Sequence, residues 1–334
     1  MSRLRWLHIE DEHECDIARH CSIWPPCGSR LTDSRRSCAF VNTSNHEFTR
    51  PGARCRRPGR SARAPAGTEV VEIDALDHAA VSAAARGADV ILHALNPFYT
   101  NWSRFALPLA YSAITAAEAA GATLMFPGNL YNYGSPMPPV IDETTPMRPS
   151  SRKGQLRVAM EDRMAEATER GMRAIVLRAG DFYGGGRGSW LDLVLLKDIG
   201  RGRLTYPGPI DLMHEWAYLP DLVSVLVHLA GMREALPAFA TFGFPGHAVT
   251  GRDFTTTIAR ATSSKLQIKR MTWWLIHALR PIVPLCRELS EMAYLWNEPH
   301  RIDGSKLKAA IGDVPHTPLD DALARALQDL RASA

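Results

Sequence analysis

Lysine is scarce in this chain. Six of its 39 cationic residues are lysines (Lys153, Lys197, Lys265, Lys269, Lys306 and Lys308), and the rest are arginine. After residue 66 no helix-length segment carries a run of cations with interleaved aromatics, so the net charge of +4 reads as base composition rather than a nucleic-acid stripe. Long hydrophobic runs are lacking too. The longest candidate, Met271 to Leu285 (MTWWLIHALRPIVPL), is broken by His277, Arg280, Pro281 and Pro284 and falls short of the roughly 18 apolar residues of a membrane span. It reads as a buried or pocket-lining helix ending at a proline. Residues 1–14 (MSRLRWLHIEDEHE) have no apolar stretch of secretory-signal type, so a cytoplasmic location is expected, with neither membrane nor nucleic acid as partner.

Cysteine is nearly absent from most of the chain. Five of the six (Cys15, Cys21, Cys27, Cys38 and Cys55) precede residue 66, and only Cys286 follows. Their spacings, and those of His8, His13, His20 and His46, include no CxxC or HxxxH pair, so no metal site is expected. Periodicity is also missing early on. From Arg19 to Gly67 neither an amphipathic helix nor an alternating strand emerges from the Ser, Arg, Pro and Gly background, and residues 1–55 read as an irregular, poorly ordered leader.

What remains is ordinary for a globular protein: 334 residues, 46% hydrophobic and 22% charged, enough for one large domain or a core plus a lobe. After Gly67 strands and helices alternate. Thr68 to Ile73 reads as a strand, and Asp77 caps a helix over 78–86. Ala88 to Leu95 is an apolar strand and Trp102 to Ala120 an alanine-rich helix ended by Gly121. Ala122 to Phe126 is a strand, 151–170 a charged amphipathic helix, and Met172 to Arg178 a strand. Such alternation predicts an α/β fold with a doubly wound parallel sheet, whose ligands sit beyond the carboxyl ends of the strands. From Ser189 onward the predicted elements are mostly helices, as in a smaller lobe covering that end.

The segments after the strands carry a resemblance when taken in order. They are Asp74 to Asp77 (DALD), His93 to Pro97 (HALNP), Asn129 to Gly134 (NLYNYG), Arg178 to Gly184 (RAGDFYG) and His214 to Asp221 (HEWAYLPD). Together they resemble the extended and atypical short-chain dehydrogenase/reductases, the NAD-dependent epimerases and dehydratases. That resemblance implies a Rossmann-like core over 56–188 and a mostly substrate-binding lobe over 189–334, some of whose segments return to the core. It also implies NAD or NADP as cofactor, and a small-molecule substrate of carbonyl or sugar-nucleotide type. A homodimer is left open.

Two departures from the family pattern stand out. No G-x-x-G-x-x-G occurs before residue 66, so the first βαβ unit reads as missing and dinucleotide binding as weak or absent. The glycines at 184–188 (GGGRG) follow the wrong strand to replace it. The family's catalytic tyrosine and lysine positions, counted back from Glu161, hold Lys153 and Arg157, and its hydroxyl position holds Asn129. An asparagine amide can donate to a carbonyl but cannot relay a proton, and an arginine is useless as a base. Lys153 as a desolvated acid, Tyr131, Tyr133 and Asp181 are the remaining catalytic candidates. The resemblance places Asp74, Arg57 and the segment His93, Ala94, Leu95 and Asn96 against the cofactor. As structure alone, Asp74 ends a strand and His93 is a core histidine.

Overall fold

The computed structural model describes residues 4–9, 38–43 and 68–332; for 4–9, 38–43, 68–70 and 72 only the backbone is described. In chain order the strands are β1 (Leu4–Ile9), β2 (Cys38–Thr43), β3 (Thr68–Glu72), β4 (Val90–His93), β5 (Thr123–Gly128), β6 (Val140–Ile141), β7 (Arg173–Arg178), β8 (Asp181–Tyr183), β9 (Arg203–Tyr206), β10 (Met213–Tyr218), β11 (Phe239–Gly243), β12 (His247–Thr250), β13 (Gln267–Arg270) and β14 (Arg301–Ile302). The helices are α1 (His78–Ala84), α2 (Trp102–Ala120), α3 (Arg152–Thr168), α4 (Leu219–Gly231), α5 (Gly251–Ala261), α6 (Trp273–Leu279), α7 (Pro284–Glu291), α8 (Ser305–Ile311) and α9 (Leu319–Ala332).

Seven of these strands form one parallel sheet in the order β11-β7-β5-β4-β2-β1-β3. Residue parity assigns its two faces. Ile91, Leu124, Phe126, Ala174 and Val176 pack toward α1, α2 and α3, while Val90, Leu92, Met125, Ile175 and Leu177 pack toward α4 and Leu307 of α8. Each fully buried aliphatic side chain contributes about 1.5 to 3 kcal/mol, and these uninterrupted apolar runs suit a sheet covered on both faces. The helices start where side chains cap them: Asp77 accepts from the Ala80 amide at 3.0 Å, and Ser151 from the Gly154 amide at 3.0 Å. The lobe has its own core around Trp216, Phe254, Tyr183 and Trp296, with a three-stranded sheet β12-β10-β8 and the pair β13-β9.

Three expectations are corrected. The leader over 1–55 contains two strands of the central sheet, so a first pair of strands is present; β2 pairs with β4, and β1 lies between β2 and β3. Both were illegible because they are short and polar-flanked: LRWLHI mixes Arg5 and His8 into an apolar pattern, and CAFVNT offers four apolar residues in an arginine and serine background. The rest of that leader lies outside the described residues. Second, the first of the helices expected from Ser189 onward is only a single wide turn at Leu191–Leu195 followed by a 3-10 turn at Ile199–Arg201. Third, Met271 to Leu285 is neither one helix nor buried. It divides between α6 and α7, and no residue of α6 is buried.

Candidate functional site

The carboxyl ends of β4, β5 and β7 open toward the lobe, and two close backbone approaches shape the cleft there. A Cβ on Gly154 would lie 2.3 Å from the Tyr131 carbonyl oxygen, and one on Gly180 would lie 2.1 Å from the Glu215 carbonyl oxygen. Glycine at 154 lets the start of α3 press against the turn after β5. Glycine at 180 lets the β7–β8 turn lie on β10, which places Asp181 beside His214.

The turn after β5 is built by Asn129, whose Oδ1 accepts from the Tyr131 amide at 3.1 Å. Tyr131 in turn shares a hydroxyl–hydroxyl hydrogen bond of 2.8 Å with Tyr99. Burial pushes the Tyr99 hydroxyl up to about 12, although its bond to Tyr131 works the other way. Burial also holds Tyr131 well above the ordinary tyrosine value, with the charges of Tyr99 and Asp181 adding to the shift. Both hydroxyls are therefore protonated donors at neutral pH.

Lys153 reaches the same place from the first turn of α3. Its ammonium lies 5.1 Å from the Tyr99 ring centroid, bonds a Glu288 carboxylate oxygen, and is 3.1 Å from Glu291 Oε2. Only 1% of Lys153 is exposed. Burial works to raise the Glu288 carboxyl, but the bond to Lys153, the Lys153 charge, the bond from Arg287 and the Arg152 charge together outweigh it and hold that carboxyl low. The protons of Lys153 are thus committed to two carboxylates of α7. Arg157, one turn further along, sits 4.8 Å from the ring centroids of both Trp102 and Phe126.

On the far side of the cleft, Asp181 Oδ2 lies 2.8 Å from His214 Nε2. The His214 ring stacks on Trp296 with centroids 4.3 Å apart and planes within 4°, and His300 meets its edge at 4.7 Å. Burial lowers His300 to about 3, helped by the neighbouring His214. Besides burial, the Asp181 charge raises the hydroxyls of Tyr99, Tyr131, Tyr206 and Tyr294, which places this carboxylate before a wall of tyrosines.

Asn129, Tyr131, Lys153 and Asp181 therefore come together, whereas Tyr133 does not join them. Its hydroxyl accepts from Arg178 Nη1 at 3.0 Å, and Arg178 Nη2 bonds Glu161 at 2.6 Å, which also accepts from Asn132 at 2.8 Å. This buried network fixes the loop rather than the chemistry. Asp74 is exposed and accepts from the Leu76 amide at 2.9 Å, closing the turn that ends β3. His93 is buried on Phe126, rings 5.2 Å apart, with neither nitrogen hydrogen-bonded; burial, then the Arg157 charge, lower it to about 3. Ala94 and Leu95 are buried and Asn96 is exposed. Arg57 lies outside the described residues.

Sequence reasoning missed Tyr99, His214, Glu288 and Glu291. A tyrosine two residues beyond Pro97 was the available signal for the first. Nothing in the sequence ties Lys153 to carboxylates 135 and 138 positions away.

The model of the NAD dependent epimerase/dehydratase family matches residues 33–242. No curated protein sequence matches the chain. Among solved structures, it resembles UDP-glucose 4-epimerase from Brucella ovis in complex with NAD at 14% identity, covering 98% of each chain with a TM-score of 0.72. It also resembles WbmH of Bordetella bronchiseptica in complex with NAD+ (13% identity, 99% of each chain, TM-score 0.67). A third is DesIV, the dTDP-glucose 4,6-dehydratase of Streptomyces venezuelae (16%, 98% of this chain and 97% of that one, TM-score 0.66). These likenesses establish a Rossmann-type fold.

The family match starts five residues before β2, the strand that borders β4 where the first strand of the usual 3-2-1-4-5-6 order would lie. A dinucleotide pyrophosphate needs bare backbone amides at that strand's end. β2 is followed by Ser44, Asn45, His46 and Glu47, with no glycine before Gly52, and β1 by Glu10, Asp11, Glu12 and Glu14. The first set has none of the glycines of the fingerprint and the second is anionic like the phosphates, so the residue types present do not fit the pyrophosphate.

Proposed function

Because the chain belongs to the NAD-dependent epimerase/dehydratase family, we propose that it is an NAD(P)-dependent epimerase/dehydratase-like protein whose cleft takes a carbonyl or sugar-nucleotide type substrate, with weak dinucleotide binding and little turnover. The cofactor face comes from the sheet and the substrate side mostly from residues 189–334, with β11 returning to the core. The relatives of similar fold include enzymes acting on UDP-glucose and dTDP-glucose, which makes nucleoside diphosphate sugars the first substrates to try.

The roles follow from the groups in the cleft. Tyr131, backed by Tyr99, is the proton donor to a substrate oxygen; the Asn129 amide nitrogen donates to a carbonyl; Asp181, held by His214, accepts from sugar hydroxyls. Lys153 and Arg157 position other groups. The observation that carries the low turnover is Lys153, engaged with Glu288 and Glu291 where the resemblance puts the catalytic tyrosine. The same observation favours a second reading, a metabolite or dinucleotide sensor that binds without turnover.

Incubation with UDP-glucose or dTDP-glucose and NAD, followed by NMR of the sugar products, tests this. A misplaced acid–base group costs about two to four decades in rate, so turnover is expected that far below that of intact relatives. Full-speed turnover overturns the proposal. Substrate binding with no product at all favours the sensor.

A further inference from the structure

The pair α6 and α7 turns Glu288 and Glu291 toward the site just described, but its other face takes no part in it. Its outer face is apolar and open: Trp274 is 72% exposed, Ile282 79% and Leu285 51%, with Leu275 and Leu279 also exposed. Trp273, one residue earlier, turns inward and anchors the hairpin by donating from Nε1 to the Pro207 carbonyl at 2.6 Å. The pattern is helical, with 273 and 276 turned toward the lobe and 274, 275, 278, 279 and 282 away from it. Contiguous apolar surface of this kind marks a binding face.

Charge identifies the partner. Residues 254–287 contain no aspartate or glutamate, where the chain's average of 35 in 334 would put three or four. The same stretch holds six cations, of which Lys265, Lys269, Arg270 and Arg280 are exposed and make no ion pair among the described residues. The first carboxylates after the stretch, Glu288 and Glu291, turn inward to Arg152 and Lys153. A second copy of this chain would bring the same cations face to face.

We propose that this hairpin is a peripheral docking surface for an anionic lipid bilayer: Trp274, Ile282 and Leu285 enter the acyl boundary while Lys269, Arg270 and Arg280 lie on the headgroups. This departs from the sequence expectation of no membrane partner. It is compatible with the lack, among the described residues, of any helix long and apolar enough to cross a membrane, because the hairpin lies on the surface. It does not rest on the reading of the cleft.

The test is co-flotation of the full chain with vesicles of phosphatidylcholine alone or with about 30% phosphatidylglycerol, at low and high salt. Binding to the anionic vesicles is expected, weakened by salt. Lys269→Gln, Arg270→Gln and Arg280→Gln together should lower affinity about a hundredfold, at ~1 kcal/mol per cation. Trp274→Ser with Ile282→Ser should lower it at least about tenfold while leaving the melting temperature unchanged, and Trp274→Phe should restore it. Three results overturn the proposal. One is no binding to anionic vesicles. Another is binding that survives both sets of changes. The last is a light-scattering dimer that Trp274→Ser with Ile282→Ser converts to monomer, which would assign the face to a second copy.

Discussion

The ammonium of Lys153 lies 3.1 Å from Glu291 Oε2, joining the first turn of α3 in the sheet domain to α7 in the lobe. With Glu288 it forms a buried cluster that closes the cleft wall. Removing the cation leaves two carboxylates in a poorly solvated place. Lys153→Met should therefore cost about 3 kcal/mol or more in stability, and adding Glu288→Gln and Glu291→Gln should recover most of it. Urea unfolding of the single and triple variants checks this. Equal midpoints for Lys153→Met and the parent chain would mean that the cluster contributes nothing.

Dinucleotide affinity should be low. A pyrophosphate held at a glycine turn gains several charge-assisted bonds of roughly 1.5 to 3 kcal/mol each, so the loss of two weakens binding by about two to four decades. Isothermal titration with NAD and NADP is expected to give dissociation constants of roughly millimolar order. A low micromolar value would reveal an anion cradle elsewhere, with Arg57 among its candidates.

Stability should depend on pH through three buried groups. His93 and His300 are each lowered from 6.5 to about 3, so the folded state excludes protons that the unfolded chain accepts. Their contribution is present above pH 6.5 and is lost as pH falls toward 3, about 2 kcal/mol for each by pH 5. Glu215 acts in the opposite sense. Burial raises it to about 7 against the amide bonds from Ile302 and Gly246. Its contribution is present below pH 4.5 and is lost as pH rises through 7. Melting temperatures from pH 4 to 8 should show His93→Phe flattening the acid limb and Glu215→Gln flattening the limb between 4.5 and 7. A His93→Phe profile parallel to that of the parent would refute the assignment.

Gly154→Ala should be more damaging than an ordinary surface change, because the added methyl meets the Tyr131 carbonyl and the Pro149 side chain, 2.9 Å away. Overpacking of this kind costs about 1 to 3 kcal/mol. The displaced turn should also disturb the Tyr99–Tyr131 bond, visible as an altered tyrosine titration in the ultraviolet. An unchanged melting temperature and titration would show that α3 can simply move away.

The sequence alone determined the alternation from β3 to β7, because apolar runs and capping residues such as Asp77 and Ser151 are local signals. It also brought forward Asn129, Tyr131 and Asp181, since ligands of a parallel sheet sit just past the strand ends, while Lys153 came only from the family resemblance. Only the tertiary structure decided what those groups can do. Lys153 was a candidate acid until carboxylates from α7 met it, and Tyr133 was a candidate until Arg178 took its hydroxyl. The places of β1 and β2 depend on backbone pairing with distant strands, to which a polar-flanked hexapeptide gives no local clue. The exposure of Trp274 was equally hidden, because hydrophobicity states what a residue prefers to bury, whereas packing decides which side of a helix finds something to bury it against.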